Sequence, residues 1–228
     1  MNIDKEIEFN NGINYLINKY GEKTVMKWYW KPQSYSNGLP VINKQNTFIN
    51  KEFENDVKNI IDNINNQKKH TIEDINIFLN NIDNLINKLN FKFDNNISQN
   101  IKQLQKFALY RYNSIGALSN ISLSVSPKLK KKWKINFELF GAFYNTNTDY
   151  CGLFSDIEKS SCDFYSFKLK NNMRILINPP YTKEWIQLSC EIISTIMEEN
   201  KHTKIFLVIP IWNKSDRKKL NLSDNADL

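Results

Sequence analysis

Met173-Arg174-Ile175-Leu176-Ile177-Asn178-Pro179-Pro180-Tyr181 decides how the second half of the chain is read. Residues 173 to 177 form a short apolar run of the kind a buried parallel strand needs, and two consecutive prolines then stop it. Proline has no N–H to give to a ladder and its ring fixes φ, so Asn178 to Tyr181 must be a stiff turn. Beyond the turn, Trp185, Leu188, Ile192, Ile193 and Ile196 recur at helical spacing over about 183 to 199, and Ile205 to Ile209 reads as another strand. Before it, Ile135, Phe137 and Leu139 alternate as a strand, and Asp163 to Phe167 is a further candidate. Strands alternating with helices predict an α/β fold with a parallel sheet. From Pro210 onward the chain turns polar without another strand signal, so the sheet is expected to be short, truncated at its C-terminal side or completed by a protein partner.

Residues 1 to 115 read as a helical domain preceding this 116 to 228 core. Ile13, Leu16 and Ile17 share a face, and Ser36-Asn37-Gly38-Leu39-Pro40 is turn-like. Helices are predicted over 51 to 66, through Phe53, Val57, Ile60, Ile61 and Ile64, and over 72 to 89, capped by Thr71. A third, over about 97 to 112, is expected to turn Ile101, Leu104, Ala108 and Tyr112 inward and Lys102, Lys106 and Arg111 outward. Trp28-Tyr29-Trp30-Lys31 allows two readings: aromatics beside lysines that stack bases of a single strand, or ordinary core packing, the more common use.

The composition narrows the function classes. Thirty-one Lys and Arg against 24 Asp and Glu give +7 and a pI near 9.1, which favours an anionic partner, nucleic acid first. The abundance of Asn, Ile and Lys is also what AT-rich codons supply, as in a large DNA virus or a protist. Cys151, Cys162 and Cys190 form no CxxC pair, and only His70 and His202 could add imidazole ligands, so no metal site is expected and the thiols are read as buried and reduced. No signal peptide or run of about 18 apolar residues stands out, which predicts a soluble, intracellular protein without membrane attachment, in nucleus or cytoplasm, or in a viral factory if viral.

In an open α/β sheet, ligands bind outside the carboxyl ends of the strands, which is where the Asn178 turn lies. Asn178-Pro179-Pro180-Tyr181 suits methylation of an adenine amino group. That nitrogen is a poor nucleophile while its lone pair is delocalised into the ring, and acceptors aimed at its hydrogens reduce the conjugation. The Asn178 side-chain oxygen and the Pro179 carbonyl are such acceptors, Pro180 stiffens the turn, and Tyr181 can stack on the base. Positioning then supplies most of the rate. The methyl donor, S-adenosyl-L-methionine, is expected on an earlier strand end. Phe137 to Asn145 is the candidate, with Gly141 allowing close backbone approach, although a plain core strand and turn read equally well. Asp163 and Phe164 can serve the adenosine of the cofactor, the alternative being a solvated aspartate at a strand start.

The blocks Phe137-Glu138-Leu139-Phe140 to Asn145, Tyr150-Cys151-Gly152-Leu153-Phe154-Ser155-Asp156, Cys162-Asp163-Phe164, Asn178-Pro179-Pro180-Tyr181 and Phe206-Leu207-Val208-Ile209-Pro210-Ile211-Trp212, in this order, resemble the phosphorylated-CTD-interacting-factor family. The resemblance covers about residues 108 to 213. It implies a Rossmann-like methyltransferase core behind a helical domain and N6-methylation of the adenosine next to the cap of mRNA. Glu138, Phe140, Gly141, Asn145, Asp163 and Phe164 would be the cofactor side. Pro210 and Trp212 would be the substrate side, and the basic segment with Lys130, Lys131 and Lys132 would be an RNA path, a plain solvated face being the equal alternative. Tyr181 stands where that family has phenylalanine, Ile211 where an acidic residue is expected, and Trp28 and Trp30 are too close together for a WW domain. Two alternatives stay open: the same chemistry on DNA or internal RNA adenines, and a non-catalytic RNA-binding or accessory subunit.

Overall fold

The computed structural model describes residues 2–32, 35–36, 38–42, 48–66, 68–120, 125–146, 148–153, 160–162, 170, 172–200 and 202–210. It is an α/β fold: among the described residues a helical half precedes a five-stranded parallel sheet. Asp163, Phe164 and Trp212 lie outside the described residues, as do the whole Asp163 to Phe167 strand candidate and the tail after Pro210.

The helical half holds α1 (Ile3–Tyr20), α2 (Glu22–Tyr29), the two-residue strands β1 (Tyr35–Ser36) and β2 (Leu39–Pro40), α3 (Lys51–Asn66), α4 (Ile72–Leu89) and α5 (Gln99–Ser114). The helices α3 and α4 match their expected spans. Thr71 starts α4 with a reciprocal capping box, its hydroxyl accepting from the Asp74 N–H while the Asp74 carboxylate accepts from the Thr71 N–H. Trp28, Tyr29 and Trp30 are buried, which settles them as core rather than as an exposed stacking platform. Trp28 packs edge-on to Phe53, and Trp30 donates its indole N–H to the Ile115 carbonyl at 3.1 Å.

One expectation for α5 fails. Arg111 points inward, 5% exposed, and grips the equally buried Glu6 of α1 through two 2.5 Å contacts. Helical periodicity assigns a charge to the outside by default, but a guanidinium whose fork meets a carboxylate can stay buried. Burial pushes the Glu6 carboxyl up, against the lowering pull of Arg111.

After the short α6 (Ala117–Asn120), α7 (Pro127–Trp133) leads into the sheet strands β3 (Phe137–Glu138), β4 (Asp149–Cys151), β5 (Ser160–Cys162), β6 (Arg174–Ile177) and β7 (Lys204–Leu207), with α8 (Lys183–Glu199) between the last two. The order across the sheet is β5-β4-β3-β6-β7, every pairing parallel. Ile175 and Ile177 of β6 meet Ile196 of α8 on one face, and Leu176 meets Val125 and Ile135 on the other. Ala142 and Trp185 join the same apolar cluster as Phe9, Trp28 and Tyr112, so helical half and sheet share a core.

The cysteine expectation holds only in part. Cys190 is a free thiol but exposed, and Cys151 is disulfide-bonded. Cys151 faces Cys162 in the β4–β5 register, a neighbour relation that is invisible before the pairing of strands is known. No helix among the described residues is long and apolar enough to cross a membrane. The described residues also contain no cluster of His, Cys, Asp and Glu suited to a metal ion.

Candidate functional site

The order of the strands places a reversal between β3 and β6. From β3 the chain lays β4 and β5 on one side, then returns to lay β6 and β7 on the other. Such a reversal opens a crevice at the carboxyl ends of the two central strands. Those ends are Leu139 to Ala142 after β3 and Asn178 to Tyr181 after β6.

Hydrogen bonds hold the two ends at fixed height. Leu139 N–H donates to the Leu176 carbonyl at 2.9 Å, Gly141 N–H to Cys151 at 3.0 Å, and Val208 N–H to Ile177 at 2.9 Å. The prolines then end the β6 ladder, and the Pro180 carbonyl accepts from Thr182 N–H at 2.8 Å. Thr182 caps α8 by accepting from Trp185 N–H. The turn is therefore tied to a strand on one side and a 17-residue helix on the other.

Asn178 is 6% exposed, and its side-chain oxygen accepts from the Tyr181 hydroxyl at 3.2 Å. Burial pushes the Tyr181 phenol up, so it remains a donor at neutral pH. Among the described residues no N–H or O–H donates to the Pro179 carbonyl. A pocket of about 50 Å³ adjoins the turn, walled by Leu139, Phe140, Gly141, Asn145, Pro180 and Trp185 and closed by Trp30 and Tyr112 from the helical half. Its lining is almost wholly apolar. Phe140 stands edge-on to Trp185, ring centres 5.5 Å apart.

The structure thus brings Phe140, Gly141, Asn145 and Pro180 to one pocket, with Asn178 on the same turn but outside its wall. Gly141 has a packing reason of its own: a Cβ there would sit 2.5 Å from the Cβ of Tyr150. Asn145 closes the loop after β3, its side chain accepting from Ala142 N–H at 2.8 Å. Pro210 is half-buried just beyond β7.

Glu138 and Lys130 depart from expectation together. Lys130 is 6% exposed and donates to the Glu138 carboxylate at 2.6 Å and to the Asn145 carbonyl at 3.0 Å. Thr146 and Thr148 donate to the same Glu138 oxygen. Lys130 is therefore a buried strut rather than part of an RNA path, and Glu138 is already saturated on one oxygen. The pairing answers the cost of burying either charge alone. The signal in the sequence is one acid inside an apolar alternation, eight residues after a lysine. Lys131 and Lys132 are exposed on α7. Periodicity also gave no sign of the pocket walls supplied by Trp30 and Tyr112, which come from distant helices.

The chain matches no protein-family model, no curated protein and no solved structure.

Proposed function

We propose that this protein transfers a methyl group from S-adenosylmethionine to N6 of adenosine in RNA, at the cap-adjacent nucleotide that the family resemblance implies, on a Rossmann-like core. The observation that carries the reading is the Asn178-Pro179-Pro180-Tyr181 turn at the carboxyl end of β6, beside the reversal of strand order and an aromatic-walled pocket.

The described residues fit part of the cofactor. The rings of Phe140 and Trp185 suit a sulfonium, which π faces attract, and Gly141 leaves its backbone uncovered there. The pocket's roughly 50 Å³ suits a group of a few heavy atoms rather than a whole nucleoside. When bound, S-adenosylmethionine supplies an electrophilic methyl. The chain's own part is to present the acceptor. The Asn178 amide oxygen, which accepts from the Tyr181 hydroxyl, would turn to one amino hydrogen of the base, and the Pro179 carbonyl would hold the other. Both acceptors lie on a turn that two prolines stiffen, so little reorganisation accompanies the reaction. Tyr181 presents a ring for the base, and one amino proton leaves to solvent as the methyl is gained.

Transfer of labelled methyl to capped RNA starting with adenosine, to uncapped RNA and to duplex DNA tests the reading and its nearest alternative. Label at N6 of the first nucleotide of capped RNA supports it; label only in DNA or internal adenosines moves the target. A second reading, a non-catalytic RNA-binding or accessory subunit, is favoured by the small pocket and by the saturated Glu138. RNA binding without binding of S-adenosylmethionine would decide for it.

A further inference from the structure

Five of the seven residues from Lys128 to Lys134 are lysine, and they divide sharply in the fold. Lys130 is buried on Glu138. Lys128, Lys131, Lys132 and Lys134 are exposed, and none forms an ion pair among the described residues. This differs from Lys19, Lys51, Lys58 and Lys106, each of which meets a carboxylate within 3.0 Å. Like charges three and four residues apart on a helix repel. Here Lys128 faces Lys131 and Lys132 without relief.

Beside them lies an open cleft of about 550 Å³ lined by Pro127, Lys130, Lys131, Lys134, Ile135 and Thr148. That volume is within the roughly 300–1,000 Å³ of ligand clefts. Lys134 enters it from a left-handed residue at φ 54°, the cap that turns α7 into the sheet. The floor carries no net charge, because Lys130 neutralises Glu138 and Thr148 donates to the same carboxylate. The two cations left to attract a ligand are Lys131 and Lys134.

We infer that this cleft is a phosphate-binding site, distinct from the pocket beside Asn178, that seats a phosphodiester of a single-stranded RNA backbone between Lys131 and Lys134. Ammonium groups bind phosphate as point charges without demanding a planar partner. The choice of RNA over other phosphates rests on the function proposed above; the cleft and its free cations do not.

The test is binding of a fluorescently labelled 12-nucleotide RNA to the full chain by anisotropy over a range of NaCl. Each phosphate contact to a single strand contributes about 0.7 to the slope of log K against log salt. Lys131→Gln with Lys134→Gln removes the one phosphate contact and should reduce that slope by about 0.7, and weaken binding about 5-fold at 0.1 M salt if the ionic contribution vanishes near 1 M. A control pair, Lys23→Gln with Lys27→Gln on α2, removes the same charge elsewhere and should change binding less than about twofold. Circular dichroism checks that the exposed substitutions leave the fold intact. Equal losses in both pairs, an unchanged slope, or no RNA binding by the parent chain overturns the inference. Displacement of RNA by millimolar inorganic phosphate at matched ionic strength would also overturn it, in favour of a free-phosphate site. Cofactor binding and methyl transfer, measured separately, report on the enzyme reading alone, so the two can fail independently.

Discussion

Replacing Gly141 with alanine separates two reasons for a glycine at the end of β3. If it is there to let a cofactor approach, an added methyl matters only when the cofactor is bound; if it is there to let β3 and β4 close, the methyl matters in the free protein. The added Cβ would sit 2.5 Å from Tyr150 Cβ and 2.8 Å from its Cγ. Carbon atoms in contact rest about 3.5–4.0 Å apart, so the overlap is on the order of 1 Å. Tyr150 is 1% exposed on a strand paired on both sides, and it cannot yield without moving β4. Overpacking of this kind costs about 1–3 kcal/mol. For a chain of this size each kcal/mol lowers Tm by about 2–4 °C, so Gly141→Ala should melt about 2–12 °C below the parent without any ligand. Tyr150→Ala removes the clashes with Cγ at 2.8 Å and Cδ2 at 3.1 Å but keeps the one with Cβ at 2.5 Å, so the double variant should recover part of the loss and fall short of the sum of the singles, as touching residues do. Thermal unfolding followed by circular dichroism on the four proteins reads this. Parent-like melting of Gly141→Ala would refute the packing argument.

Other predictions follow from single contacts. Glu138→Gln leaves Lys130 buried without its counter-charge and should destabilise by about 3–5 kcal/mol in urea titrations, while Lys130→Met with Glu138→Leu should recover most of that. Thr71→Ala removes the α4 capping box and should cost about 1 kcal/mol by the same measurement. The folded Tyr181 phenol is raised by burial, so its contribution is fully present below the ordinary phenol value near 10 and is lost as pH rises through the folded value. Tyr181→Phe should remove that part of the alkaline loss of stability and delete one late-titrating phenolate from the ultraviolet difference spectrum.

The legible parts of this fold were those whose cause is local. The double proline ends β6 where it must, Thr71 caps α4, and α8 spans 183 to 199 because its apolar residues repeat over nearly five turns. Strand β4 is three residues, Asp149–Cys151, and shows no period to read; it exists because β3 and β5 flank it. The strand expected over Asp163 to Phe167 lies outside the described residues, while β5, Ser160–Cys162, is placed by its pairing with β4. Arg111 and Lys130 went astray for one reason: periodicity sends charge outward, and only the approach of distant or folded-back carboxylates, Glu6 and Glu138, makes an inward cation tolerable. At the site, the strand-end position of Asn178 was legible. The Tyr181 bond to its amide and the narrowness of the neighbouring pocket come from packing that α8 and the helical half impose.

The most direct test of the central claim is transfer of labelled methyl from S-adenosylmethionine to capped, adenosine-initiated RNA by the parent chain and by Asn178→Ala. The account predicts N6 label with the parent, and for Asn178→Ala cofactor binding retained with transfer reduced at least about 100-fold, the scale of losing a transition-state hydrogen-bonding group. Undiminished transfer by Asn178→Ala, or RNA binding by the parent with neither cofactor binding nor transfer, would contradict it.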